Sequence, residues 1–174
     1  RWLWPAHAVH HSDDQMTWLT LSRFHPVNRV TTATIDIGFL ALLGLPDWAL
    51  VANELVRHYY GELIHADLPW TYGTFGRLLV SPAMHRWHHA RDVTGAGSNF
   101  ATVFSVFDQA FGTFHVPGPC TVPVGVTDDM IPTTWGQLVY PFRSWADDAL
   151  GRQEASRIEP ATMAPAGSPG AREH

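Results

Sequence analysis

Ser81-Pro82-Ala83-Met84-His85-Arg86-Trp87-His88-His89 opens as a helix and closes on three histidines. Serine can cap the free amides of a helix start, and a proline in the first turn presets φ for it. Positions i, i+3 and i+4 of a helix share one face. His85, His88 and His89 are therefore expected to aim at one point. Upstream, His7-Ala8-Val9-His10-His11 repeats the spacing, with the two motifs 78 residues apart. Two such helices facing each other would surround a metal pair with six imidazole nitrogens. His65 lies between the motifs, after the most apolar stretch of the chain, and is the natural seventh ligand.

Composition agrees with metal chemistry. The chain of 174 residues holds 11 His, as many as Lys and Arg together. Charged residues make up only 16%, below the roughly 25% usual in soluble domains. A net charge of −5 offers no basic surface for nucleic acid, and no nucleic-acid partner is expected. The one cysteine, Cys120, excludes a disulfide framework, a Cys-rich zinc site and a Cys-ligated iron–sulfur cluster. Length alone suggests one domain, with a core of fair size.

Outward from the motifs, Ser12-Asp13-Asp14 reads as a turn or cap, and residues 15–24 as a short helix ending before Pro26. Ile37–Leu45 is nearly all apolar, Pro46-Asp47 interrupts it, and Trp48–Val56 resumes it with Glu54 as the main charge. A spanning helix needs about 20 consecutive apolar residues. This stretch predicts two short helices in a hairpin instead, either buried in the core or dipping into a membrane. Residues 66–81 and 92–97 read as loops. Asn99 is a candidate cap for a helix in which Phe100, Val103, Phe104, Phe107 and Phe111 share an apolar face, with Gly112 ending it. Residues 116–134 are irregular, and 152–174 read as a disordered tail.

Other metal architectures fit less well. The His-Glu-x-x-His signature of zinc proteases is absent. Glu62-Leu63-Ile64-His65 is the only Glu-x-x-His, whereas carboxylate-bridged di-iron bundles need two. A three-His zinc hydrolase leaves most of the histidines unused. His58, two turns before His65, is a lesser ligand candidate; His25 reads as structural, and His115 and His174 are not expected to bind metal.

With these residues in hand, the chain resembles the fatty acid hydroxylase/sterol desaturase superfamily from about residue 2 to residue 143. The resemblance rests on His7-Ala8-Val9-His10-His11-Ser12, Arg23-Phe24-His25-Pro26, His65-Ala66, Ser81 to His89, Asn99-Phe100 and Phe111-Gly112-Thr113-Phe114. It implies an all-α fold, with a membrane-associated helical hairpin and a helical cap carrying a histidine-rich dinuclear site. It implies His7, His10, His11, His65, His85, His88 and His89 as ligands of two iron ions, with dioxygen as co-substrate.

The implied partners are a lipid substrate (fatty acyl or sterol-like), the membrane and a separate electron-donor protein. The implied place is an integral membrane setting with the metal site on the cytosolic side. The implied reaction is hydroxylation or desaturation. The family carries an earlier HxxxH-type motif that is not found here, and Gly61 stands where some members have a further histidine. Residues 1–151 are thus expected to be the C-terminal portion of such a domain. A catalytically incomplete metal-binding module and a zinc-dependent hydrolase are the alternatives. Asp13, Asp14, Glu62, Asp92 and Asp108 are candidates to hydrogen-bond the distal imidazole nitrogens, although a cap or surface role is the commoner fate of each. Trp18, Trp70 and Trp87 are candidates to line an acyl channel, with core packing or a membrane-interface belt as the preferred reading of each.

Overall fold

A computed structural model of the chain describes residues 2–91 and 97–152. Among these the fold is helical, with no strand and two isolated bridges, Leu79 with Phe104 and Ala90 with Val124. The helices are α1 (Trp4–His11), α2 (Pro26–Leu42), α3 (Asp47–His65), α4 (Pro82–His88), α5 (Val106–Phe111) and α6 (Thr134–Ala149). Chain contacts divide into two units at Pro141, a proline inside α6. The first unit holds every feature of the site. The second is short and carries ion pairs from Asp147 to Arg143 and Arg152. The expected loop at 92–97 falls mostly, and the tail at 153–174 wholly, outside the described residues.

Each motif helix carries a proline in its first turn. Pro5 lies in the first turn of α1, and Pro82 in that of α4. Ser81 caps α4 as expected, its hydroxyl accepting from the Met84 amide at 3.1 Å. The predicted helix over 15–24 is only a 3₁₀ turn, Trp18–Ser22. His25 does not end that turn; it begins α2. Its backbone is extended, as a residue before proline prefers, and its Nδ1 accepts from the Val27 amide at 3.1 Å. The Nε2–H then donates to the Leu138 carbonyl at 3.1 Å, so His25 is structural.

The hairpin is longer than the apolar run suggests. α2 has 17 residues and α3 has 19. Neither is buried along its length: Val30, Ile35, Phe39, Leu42, Trp48 and Val51 are all exposed. Only Asn28 of α2 and Gly61, Ile64 and His65 of α3 are buried. The core therefore lies at the base of the hairpin, where Ile64, Val80 and Met84 meet Tyr60 and Phe114. No helix of the described residues is long and apolar enough to cross a membrane.

The predicted helix from Asn99 to Phe111 shrinks to α5. Asn99 is left-handed at φ 57°, and it does not cap a helix. Its amide donates to the carbonyls of Met84 and His115, at 3.0 and 2.7 Å. Asp108 accepts from the amides of Phe100 and Ala101, at 2.7 and 2.9 Å. Leu78 and Val80 pair with Ser105 and Val103 through backbone bonds of 3.1 and 2.9 Å. Those bonds hold residues 99–105 in an irregular course that competes with the helix. Phe100, Phe104, Phe107 and Phe111 are exposed.

Candidate metal centre

All seven expected histidines converge, in two groups. His10, His65, His85 and His89 form one; His7, His11 and His88 form the other. Within each group one ring nitrogen per residue lies within 4.8 Å of the rest. The expectation that each motif aims three rings at one point needs correction. Each motif divides: His10 parts from His7 and His11, and His88 parts from His85 and His89. The cause is helical rotation, since neighbours i+3 and i+4 diverge by about 100°. The His10 and His11 rings stand 5.5 Å apart at 85°. The divided spacing therefore builds two adjacent sites from two helices.

The distal nitrogens are held by backbone carbonyls. His10 Nδ1–H donates to Thr20 at 3.2 Å, His65 Nδ1–H to Gly61 at 2.6 Å, and His88 Nδ1–H to Ser98 at 2.8 Å. Of the candidate carboxylates, the four that are described, Asp13, Asp14, Glu62 and Asp108, make no such bond. Asp13 acts one step away, accepting from the Thr20 hydroxyl at 2.6 Å. Asp108 instead pins residues 100–101, beside the Ser98 carbonyl that meets His88. Glu62 pairs with His58 at 3.4 Å, and His58 stays outside both groups. Asp92 lies outside the described residues.

These bonds decide the tautomers. In neutral His10 and His65 the proton sits on Nδ1, so each Nε2 presents a lone pair. The two Nε2 atoms are 3.0 Å apart, and His85 Nε2 is 3.0 Å from His65 Nε2. Lone pairs do not face each other at that distance without a cation between them. Two nitrogens bound at right angles to one ion at about 2.1 Å would lie about 3.0 Å apart. Both ring nitrogens of His89 and Nδ1 of His85 are buried with no hydrogen-bond partner. A purely structural histidine core would satisfy them. The residues fit a metal pair.

Burial also holds the rings neutral. Desolvation, then mutual repulsion, lowers His10, His11, His85 and His89 well below the usual imidazole range. His7 and His65 fall to about 4, each mainly by burial. His88 is lowered by burial too, with its Ser98 bond and Asp108 opposing. Neutral imidazole is the form that binds metal.

A cavity of about 260 Å³ opens onto the centre, reaching His7, His10, His65, His85 and His88. Leu21, Phe24 and Phe100 supply apolar wall, and Phe24 stacks on His10 at 4.2 Å. Phe24 had no sequence signal beyond its place in the resemblance. None of the three tryptophans lines this cavity. Trp87 is core, its Nε1–H donating to Gly118 at 2.9 Å, while Trp18 and Trp70 are exposed. Gly61 allows the 3₁₀ turn to pack on α3: a Cβ there would stand 3.0 Å from both terminal methyls of Leu21.

An α-helical frame presents two adjacent groups of neutral histidines, each able to hold a metal ion. Residues 1–113 match the fatty acid hydroxylase family model, and the chain belongs to that family. It is 28% identical over 158 residues to the ornithine lipid hydroxylase OlsE of Rhizobium tropici, covering 90% of this chain and 48% of the relative. It is 31% identical over 112 residues to the alkylglycerol monooxygenase of Danio rerio, covering 64% of this chain and 25% of that protein. The Homo sapiens alkylglycerol monooxygenase is 30% identical over 113 residues, or 65% and 25% of the two chains. The chain thus spans about half the length of the first relative and a quarter of the others. No solved structure matches.

Proposed function

We propose that this chain carries the metal centre of a di-iron, dioxygen-dependent lipid hydroxylase. The observation that carries the reading is the facing Nε2 lone pairs of His10 and His65, 3.0 Å apart, with the Nε2 of His85 at 3.0 Å from that of His65. Seven imidazoles without a carboxylate suit iron, copper or zinc by chemistry alone. Family membership favours iron. The names of the relatives, hydroxylase and monooxygenase, favour oxygen insertion over desaturation.

Bound iron would supply the activation of dioxygen that no side chain here can supply. The net change turns a C–H bond, dioxygen, two electrons and two protons into an alcohol and water. The chain's own residues hold and shield. Carbonyls of Thr20, Gly61 and Ser98 fix three rings by their Nδ1–H groups, which orients them and raises their basicity. Phe24 lies flat on His10 and keeps water from that ring. Leu21, Phe24 and Phe100 give the cavity an apolar wall for a lipid. Electrons would come from a separate donor protein.

The hairpin supports a membrane setting. Its apolar side chains face outward, with Leu42 88% and Trp48 73% exposed, while polar ones face the cavity. That pattern suits a helix pair dipping into lipid, and the family resemblance puts the metal site on the cytosolic side.

The test is elemental analysis of the protein reconstituted anaerobically with ferrous iron, with lipid product analysis under oxygen and reductant. About two irons per chain, together with oxygen- and reductant-dependent hydroxylation, is the expected result. One zinc with oxygen-independent hydrolysis would replace this reading with the hydrolase. Two irons with no turnover would replace it with the incomplete module.

A further inference from the structure

The cavity that reaches the histidines has a second, charged lining. On α2, Arg29, Thr32, Ala33 and Asp36 follow one another at i, i+3, i+4 and i+7. On α3, Glu54, Arg57 and His58 do the same, and the stripe continues to His65. Residues at that spacing form one helix face. Each hairpin helix thus turns a polar stripe to the cavity, although its remaining surface is apolar and exposed.

The charges are not used up by the fold. Arg57 and Asp36 form an ion pair across the hairpin, half-buried on both sides. Arg29 and Glu54 make no ion pair among the described residues. Burial and the nearby Arg29 both lower the Arg57 pKa, so a second cation stands close to the Arg57–Asp36 pair. Arg29 is exposed and Glu54 half-buried, so both charges are open to a ligand that enters the cavity. A cation and an anion left open, one on each helix, complement a group carrying both signs.

We propose that this stripe is a headgroup subsite for a zwitterionic lipid, with Arg29 taking the anionic group and Glu54 the ammonium. The Arg57–Asp36 pair forms the floor between them. The apolar wall of Leu21, Phe24 and Phe100 takes the first carbons of the tail. The inference deepens the proposed function and rests on its lipid substrate. It does not depend on turnover.

The test is calorimetric titration of the full chain with dihexanoyl lipids below their micelle concentrations: phosphatidylethanolamine, phosphatidylglycerol and diacylglycerol. O-phosphoethanolamine gives the headgroup alone. The zwitterionic lipid should bind about tenfold or more tighter than the neutral one, as for a gained charged hydrogen bond. It should also bind tighter than the anionic lipid and the free headgroup. Arg29→Gln should abolish the preference over diacylglycerol, and Glu54→Gln the preference over phosphatidylglycerol. Iron content should stay unchanged in both variants.

Equal affinity for the three lipids would overturn the proposal. So would tighter binding of the anionic lipid, equal binding of the free headgroup, or variants that keep the wild-type order. Iron content, read separately, reports on the metal centre. A chain without iron but with the expected lipid order would sink the hydroxylase reading and leave the subsite standing.

Discussion

His10 shows how much one side chain carries. Its Nδ1–H is committed to Thr20, its ring lies under Phe24, and its Nε2 faces that of His65. Replacing His10 or His88 with Ala should lower bound iron by about one ion, because each belongs to a different group. His174→Ala should leave it unchanged. Elemental analysis reads all three, and equal metal in the three variants would sink the ligand set. Acid should act on the same residues. His7 and His65 have folded pKa values of about 4. The unfolded value is about 6.5. Between those values the unfolded chain binds protons that the folded chain refuses, so stability rises with pH. The metal-free protein should hold full stability above about pH 6.5 and lose it as pH falls toward 4. A melting series across that range reads the effect, and a flat profile would mean the rings are not desolvated.

At the scale of elements, caps and close approaches place the histidines. Ser81→Ala removes the α4 cap and should cost about 1 kcal/mol, a fall of roughly 2–4 °C in Tm. Gly76 sits where an added Cβ would strike the Thr71 carbonyl, and its own carbonyl accepts from the Ser105 hydroxyl at 2.8 Å. Gly76→Ala should therefore lower Tm more than Ser81→Ala, because backbone must move, and differential scanning calorimetry would rank them. A smaller effect at Gly76 would show that the loop yields freely. The helices bearing the motifs were legible because proline, cap and 3.6-residue spacing are local. The helix expected from Asn99 was not, because its phenylalanine spacing is real but bonds from Asp108, Leu78 and Val80 outbid it.

For the whole molecule, the outward apolar face of the hairpin is the governing feature. The chain should co-sediment with phospholipid vesicles. Phe39→Lys with Leu42→Lys should weaken that by about a hundredfold or more, since each side chain contributes roughly 1.5–3 kcal/mol of burial. Melting temperature should change little, because both residues are exposed in the fold. Undiminished sedimentation would place the lipid contact elsewhere, for instance on the exposed phenylalanines around α5.

The sequence by itself determined the all-α class, the two motif helices, the seven converging histidines and the family. The motif helices follow from rules of short range, helical periodicity and capping; the all-α class and the family came from the resemblance that the motifs and their flanks carry. Only the tertiary structure decided how the seven divide into two groups, since that depends on how α1, α3 and α4 meet. It also decided that carbonyls rather than carboxylates steady the distal nitrogens. The charged stripe of the hairpin came from the same source. Arg29 and Asp36 are a few charges in an apolar run until α3 lies beside α2 and closes a cavity around them. Contacts between residues far apart in sequence leave no periodic trace, so packing alone assigns them.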